Sequence, residues 1–147
     1  MRKPDAGVLD TLGWREWAAL PDLGVPRIKV KVDTGARTSS IHAFAIERSG
    51  GRVRFGLHAL QKSGQEIWCE TAVVDERYVT DSGGHSELRP FILTAVTVGR
   101  DTWPVELSLT ARDSMRFRML LGRLALEGRY LVDPSASFTK GKRRFDR

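Results

Sequence analysis

A chain of 147 residues, 41% of them hydrophobic, is long enough for one domain with its own core, and none of its apolar runs is long enough for a membrane helix. Its net charge of +6 is concentrated at the end, where Lys140, Lys142, Arg143, Arg144 and Arg147 against Asp146 account for +4. The single cysteine, Cys69, excludes an intrachain disulfide, and Met1 to Asp5 leads into no signal-peptide core, so the expected compartment is the reducing cytoplasm.

Residues 1–12 read as a flexible N-terminus, 13–134 as the folded domain and 135–147 as a basic tail. Trp14 to Leu20 suits an opening strand, stopped by Pro21 and Gly24. Arg27 to Val32 alternates, with Ile28, Val30 and Val32 on one face, and delivers Asp33 into a turn at Gly35. A strand is expected to resume over Ile41 to Ile46. Ser49-Gly50-Gly51 signals a hairpin into Arg52 to Leu60, where Val53, Phe55, Leu57 and Ala59 share a face. Lys62 to Gln65 reads as a turn, and Ile67 to Val74 as a strand holding Cys69 as a packed thiol. Phe91 to Val98 and Trp103 to Thr110 pair around Gly99 to Thr102, with Trp103, Val105, Leu107 and Leu109 pointing one way. A short helix, Leu124 to Glu127, is closed by Gly128, and Tyr130 to Pro134 makes the last strand. Many short strands and one helix predict an all-β barrel or sandwich.

The chemistry concentrates at Asp33-Thr34-Gly35-Ala36. A carboxylate after a β-branched strand can activate a water, Gly35 allows a tight fold beneath it, and the Thr34 hydroxyl can brace the loop. The same letters also serve as an ordinary β-turn. Met119-Leu120-Leu121-Gly122-Arg123 supplies a second block, and Val79-Thr80-Asp81-Ser82-Gly83-Gly84-His85 is a glycine-rich connection. The three histidines, His42, His58 and His85, follow no His-Glu-x-x-His pattern, and no phosphate-binding glycine loop occurs. A zinc site would need scattered side chains to converge in space. The basic tail suits a solubilising end, or a tether to RNA, a ribosome or an acidic peptide.

These blocks, together with Gly13-Trp14-Arg15-Glu16-Trp17 and Met115 to Met119, resemble the bacterial retropepsin-like aspartic peptidase family. Many members of that family carry the label ATP-dependent zinc protease. The resemblance spans about Gly13 to Pro134 and implies a closed acid-protease barrel with one short C-terminal helix. It implies catalysis by Asp33, Thr34 and Gly35, with the second carboxylate supplied by Asp33 of a two-fold homodimer partner. Ala36, Arg37, Asp81, Ser82, Gly83, Gly84 and His85 become substrate-binding residues, with the 79–85 loop as a mobile flap. Leu121, Gly122 and Arg123 become supports of the site. Neither a metal nor another cofactor is implied by these residues, despite the label.

Some members are associated with the ATP-grasp ligase that adds glutamates to ribosomal protein S6, so the implied substrate is a peptide, including an acidic C-terminal tail. Direct nucleic-acid binding and membrane association are not expected. The basic neighbours Lys31 and Arg37 depart from retroviral sequences and suit an acidic substrate. The alternatives are a non-catalytic module that binds an acidic or ribosomal partner, and a zinc-dependent peptidase.

Overall fold

The protein is described by a computed structural model covering residues 9–58, 64–111 and 116–141. Eleven strands and one short helix follow in chain order: β1 Asp10–Leu20, β2 Val25–Val32, β3 Ser39–His42, β4 Phe44–Ser49, β5 Arg52–Leu57, β6 Ile67–Ala72, β7 Asp75–Thr80, β8 Ser86–Val98, β9 Asp101–Thr110, β10 Met119–Leu121, α1 Arg123–Leu126 and β11 Tyr130–Ser137. Eight strands form one sheet in the order β11-β1-β2-β10-β3-β9-β8-β7, and β4-β5-β6 form a second. The large sheet curls until β1 also meets β8, at Ala19 and Thr97. The fold is all-β and retropepsin-like, and its ring closes through that single pair rather than through a full ladder.

The alternating face of β2 turns Ile28, Val30 and Val32 into the core beside Ile41, Leu107, Leu109, Met119 and Leu121. Each such side chain contributes about 1.5–3 kcal/mol by leaving water. Trp103, Val105, Leu107 and Leu109 are all buried, as their alternation predicts.

Element ends differ from the sequence reading for identifiable reasons. β1 starts at Asp10, inside the segment expected to be flexible, because Asp10 to Gly13 pairs in parallel with Tyr130 to Asp133 and Leu12 is a core residue. The strand expected over Ile41 to Ile46 divides at the buried Ala43, whose N–H donates to the Thr110 carbonyl at 2.9 Å while Phe44 leaves to pair with Gly56 in the second sheet. The strand expected to run to Val74 ends at Ala72 and is followed by β7, which the sequence reading passes over. The β8–β9 hairpin turns on Gly99 and Arg100 alone, so Asp101 and Thr102 already belong to β9.

β11 runs past Pro134 to Ser137, and the segment after it is fastened to β1. Glu16, fully buried, accepts N–H groups from Gly13 at 2.7 Å, Thr139 at 3.1 Å and Lys140 at 3.2 Å, and the Thr139 hydroxyl at 2.6 Å. The Phe138 ring stacks on Trp17 with centroids 5.8 Å apart. A buried carboxylate with four donors is satisfied, so it anchors this end of the ring instead of straining it. Ala59 and Leu60 of the expected strand, Lys62 and Ser63 of the expected turn, and residues 1–8 and 142–147 lie outside the described residues.

Candidate active site

The sheet order explains the site. β10 lies between β2 and β3, so the chain leaving β2 must pass over the end of β10 before it can enter β3. Residues 33–38 make that passage. The Asp33 N–H donates to the Leu121 carbonyl at 2.8 Å, the Arg123 N–H to the Ala36 carbonyl at 2.8 Å, and the Leu124 N–H to the Arg37 carbonyl at 3.1 Å. Gly122 sits where the two segments cross, with its N–H donated to the Ser39 hydroxyl at 3.0 Å. A Cβ there would stand 2.4 Å from the Thr38 carbonyl oxygen and 2.8 Å from that of Ala36, so only glycine allows the close approach.

Within the turn, Asp33 Oδ1 accepts the Gly35 N–H at 2.9 Å, which fixes the carboxylate relative to its own backbone. Arg123 Nη1 donates to the Thr34 and Gly35 carbonyls at 3.1 and 3.3 Å, holding the turn from the helix side. Thr34, Gly35 and Arg37 are exposed, and Asp33 and Ala36 are half-buried. The turn therefore presents a carboxylate on a backbone that distant parts of the chain hold in place.

Asp33 opens onto a cleft of about 980 Å³ between this turn and the β7–β8 hairpin. Of the residues expected to bind substrate, Ala36, Arg37, Asp81 and Ser82 line it. Gly83, Gly84 and His85 form the hairpin tip and are not part of that lining; the His85 side chain is 72% exposed. Asp81 organises the tip, its Oδ1 accepting N–H groups from Gly83 at 2.9 Å and His85 at 3.0 Å. Of the expected supports, Leu121 is fully buried, Gly122 makes the crossing and Arg123 reaches into the cleft wall.

Sequence reasoning missed two cations, two rings and two leucines that complete the cleft: Arg77, Arg89, Tyr78, Phe91, Leu120 and Leu124. The available signal was the hairpin register. Once β7 and β8 pair, Arg77 stands opposite Arg89 and Tyr78 opposite Leu88. The Arg77 guanidinium lies 4.2 Å from the Phe91 ring centroid and bonds Asp75 and Glu106, each at 2.6 Å.

The histidines lie in three separate places. His42 is buried with Nδ1 3.3 Å from Arg118 Nη1, His58 packs its ring 4.5 Å from Phe44, and His85 is at the hairpin tip. Among the described residues no three His, Cys, Asp or Glu side chains converge to hold a metal ion, so this donor set does not fit a zinc site.

Residues 11–143 match the family described as retropepsin-like aspartic endopeptidase RimB. The chain belongs to the RimB-like family. Its curated relatives include proteins named probable alpha-L-glutamate ligase, from Shewanella pealeana at 51% identity over 90% of this chain and from Parasynechococcus marenigrum at 45% identity over 92%. In both cases the matched region is 30% of the relative, so this RimB-like chain spans under a third of the length of these proteins. A crystal structure of a Legionella pneumophila protein of unknown function shares the fold at a TM-score of 0.74 and 26% identity, over 89% of this chain and 98% of the other. No helix among the described residues is long and apolar enough to cross a membrane.

Proposed function

We propose that this protein is an aspartic endopeptidase that works as a two-fold homodimer with Asp33 of each protomer at the axis. The observation that carries the reading is the Asp33 turn itself, fixed from behind by Leu121, Gly122 and Arg123 and open in front to a cleft. Peptide hydrolysis by this route needs two carboxylates that share one proton. One takes a proton from water as its oxygen attacks the scissile carbonyl, and the other delivers its proton to the carbonyl oxygen. Collapse of the tetrahedral intermediate then expels the amine, which takes up a proton. The chain supplies one Asp-Thr-Gly, so a second copy supplies the other carboxylate. Exposed Thr34 and Gly35, with Leu124 half exposed beside them, are the surface on which such a partner would rest. The β7–β8 hairpin is the flap in this reading, closing over peptide through its tip at Asp81 to His85.

The substrate follows from charge. Arg37, Arg77, Arg89 and Arg123 outnumber Asp33 and Asp81 in the cleft lining, which favours an acidic peptide. Relatives named as glutamate ligases point the same way, towards glutamate-rich tails such as that of ribosomal protein S6. Such trimming belongs in the cytoplasm.

The test uses a peptide ending in several glutamates and an uncharged peptide of equal length. The protein should cut the acidic one preferentially, and Asp33→Asn should lower turnover by roughly 10³-fold or more while fold and dimer persist. Undiminished cleavage by Asp33→Asn, or by a demonstrated monomer, refutes the mechanism. Binding of the acidic peptide without cleavage by the native protein returns the chain to a binding module.

A further inference from the structure

We propose that Arg89 is the specificity residue of the cleft, donating its guanidinium to the carboxylate of a substrate glutamate or aspartate. The proposal rests on the reading of this cleft as a peptide site. It adds the residue that tells an acidic side chain from its amide.

Arg89 is only 7% exposed, yet it lines the cleft that Asp33 opens onto. Its Nε donates to Glu87 Oε1 at 2.6 Å and its Nη1 to the Ser108 hydroxyl at 3.3 Å. Glu87 Oε1 also accepts the Thr110 hydroxyl at 2.7 Å, and the Ser108 hydroxyl is itself donated to the Ser39 carbonyl at 3.3 Å. Ser39 Oγ in turn receives the Gly122 N–H, so the guanidinium is fixed to the frame that carries Asp33. A guanidinium has five N–H groups, and only two of them are engaged here by described residues. Glu87 offsets the charge, and the N–H groups that no described residue engages are left to a ligand in the cleft. A carboxylate, accepting two parallel N–H bonds, is the partner whose shape fits the open side of the fork.

The other cleft cations are differently placed. Arg77 is committed to Asp75 and Glu106 and lies on the Phe91 ring. Arg123 is committed to the carbonyls of the Asp33 turn. Arg37 is exposed, and solvent and salt screen what it can contribute. Arg89 alone among the four is buried, and two bonds hold it in place. Moreover, it stands directly opposite Arg77 across the hairpin. The two guanidiniums are balanced by carboxylates, Glu87 on Arg89 and Asp75 with Glu106 on Arg77, and together they give this stretch of the cleft wall two fixed donor groups.

Equilibrium binding measured in the Asp33→Asn background keeps the question separate from catalysis. The probes are an acidic peptide and a set in which each glutamate is replaced singly by glutamine. One position should discriminate glutamate from glutamine by about tenfold or more, and Arg89→Met should reduce that discrimination to within about twofold while leaving the other positions alone. The Arg89-dependent part should resist high salt, since the site is shielded. Arg89→Lys, which keeps the charge but not the fork, should retain only part of the discrimination, and it serves if Arg89→Met does not fold. Glu87→Gln controls for structure: it breaks the ion pair yet should leave the discrimination in place.

Discrimination that survives in folded Arg89→Met, or in full in Arg89→Lys, overturns the proposal. So does a native protein that distinguishes glutamate from glutamine at no position. If the native protein discriminates as stated but cuts none of the peptides, the peptidase reading fails and the assignment of Arg89 stands.

Discussion

Asp33 and Asp81 make the same local turn. Each is followed two residues later by a glycine whose N–H it accepts on Oδ1, at 2.9 Å in both cases. Their surroundings differ. The Asp33 turn is fastened by Leu121, Arg123 and Leu124, some 90 residues further along the chain. At the Asp81 tip two backbone bonds close the hairpin on itself: the Asp81 N–H meets the His85 carbonyl at 2.8 Å, and the Gly84 N–H meets the Asp81 carbonyl at 3.0 Å. An Asx turn is thus a neutral device. In the proposed peptidase, long-range fastening suits one copy to carry the chemistry, and the hairpin closure of the other suits it to act as the flap.

The largest expected effect comes from attacking the fastening. Gly122→Ala drives a methyl into the Thr38 and Ala36 carbonyls, so the Asp33 turn must shift. Urea unfolding should report a loss of about 2–3 kcal/mol, and cleavage of an acidic peptide should fall about 100-fold because the carboxylate is displaced. A variant with native stability and turnover would show that the crossing is not what holds Asp33.

The tip should behave in the opposite way. Gly84 has φ of +85° with open space around it, so Gly84→Ala costs only backbone strain, about 1 kcal/mol. Hydrogen exchange should be faster at the Gly83 and Gly84 amides than at the Asp33 and Arg123 amides by orders of magnitude, and bound peptide should slow the tip selectively. Equal protection at both turns would erase the contrast.

The smallest effect lies away from both turns and serves as a control. Tyr130 donates its hydroxyl to Asp101 Oδ2 at 2.7 Å. Burial, and then that bond, raise its pKa above the ordinary 10.0. The folded state therefore holds the proton more tightly than the unfolded one, so this contribution is complete below pH about 10 and is lost as pH rises beyond it. Tyr130→Phe should cost about 1 kcal/mol at neutral pH and flatten the alkaline slope in thermal melts between about pH 9 and 11, without changing peptide cleavage.

Legibility in the sequence tracked local signals. The β2 alternation, the Asp33 turn and the Leu121-Gly122-Arg123 block could be read because each is written in consecutive residues. β7 could not: it is the edge strand of its sheet, with polar residues on both faces, so Asp75 to Thr80 carries no period. The start of β1 and the end of β11 were invisible because each strand exists by virtue of the other. Arg89 hid among ordinary charged strand residues, since burial of a cation depends on what the fold lays beside it.

The pairing of β1 with β11 also sets an order of assembly. Asp10 meets Tyr130, and Glu16 waits for Thr139, across about 120 residues of chain. Closing so long a loop costs roughly 4 kcal/mol in chain entropy, whereas the β8–β9 hairpin closes almost locally. The hairpins form early in folding and the ring is sealed late. During synthesis β1 emerges first and finds its parallel partner only after β11 has left the ribosome. In that interval Asp10 to Arg15 stand on an unpaired edge, and a nascent chain in that state is open to strand-to-strand association with its neighbours.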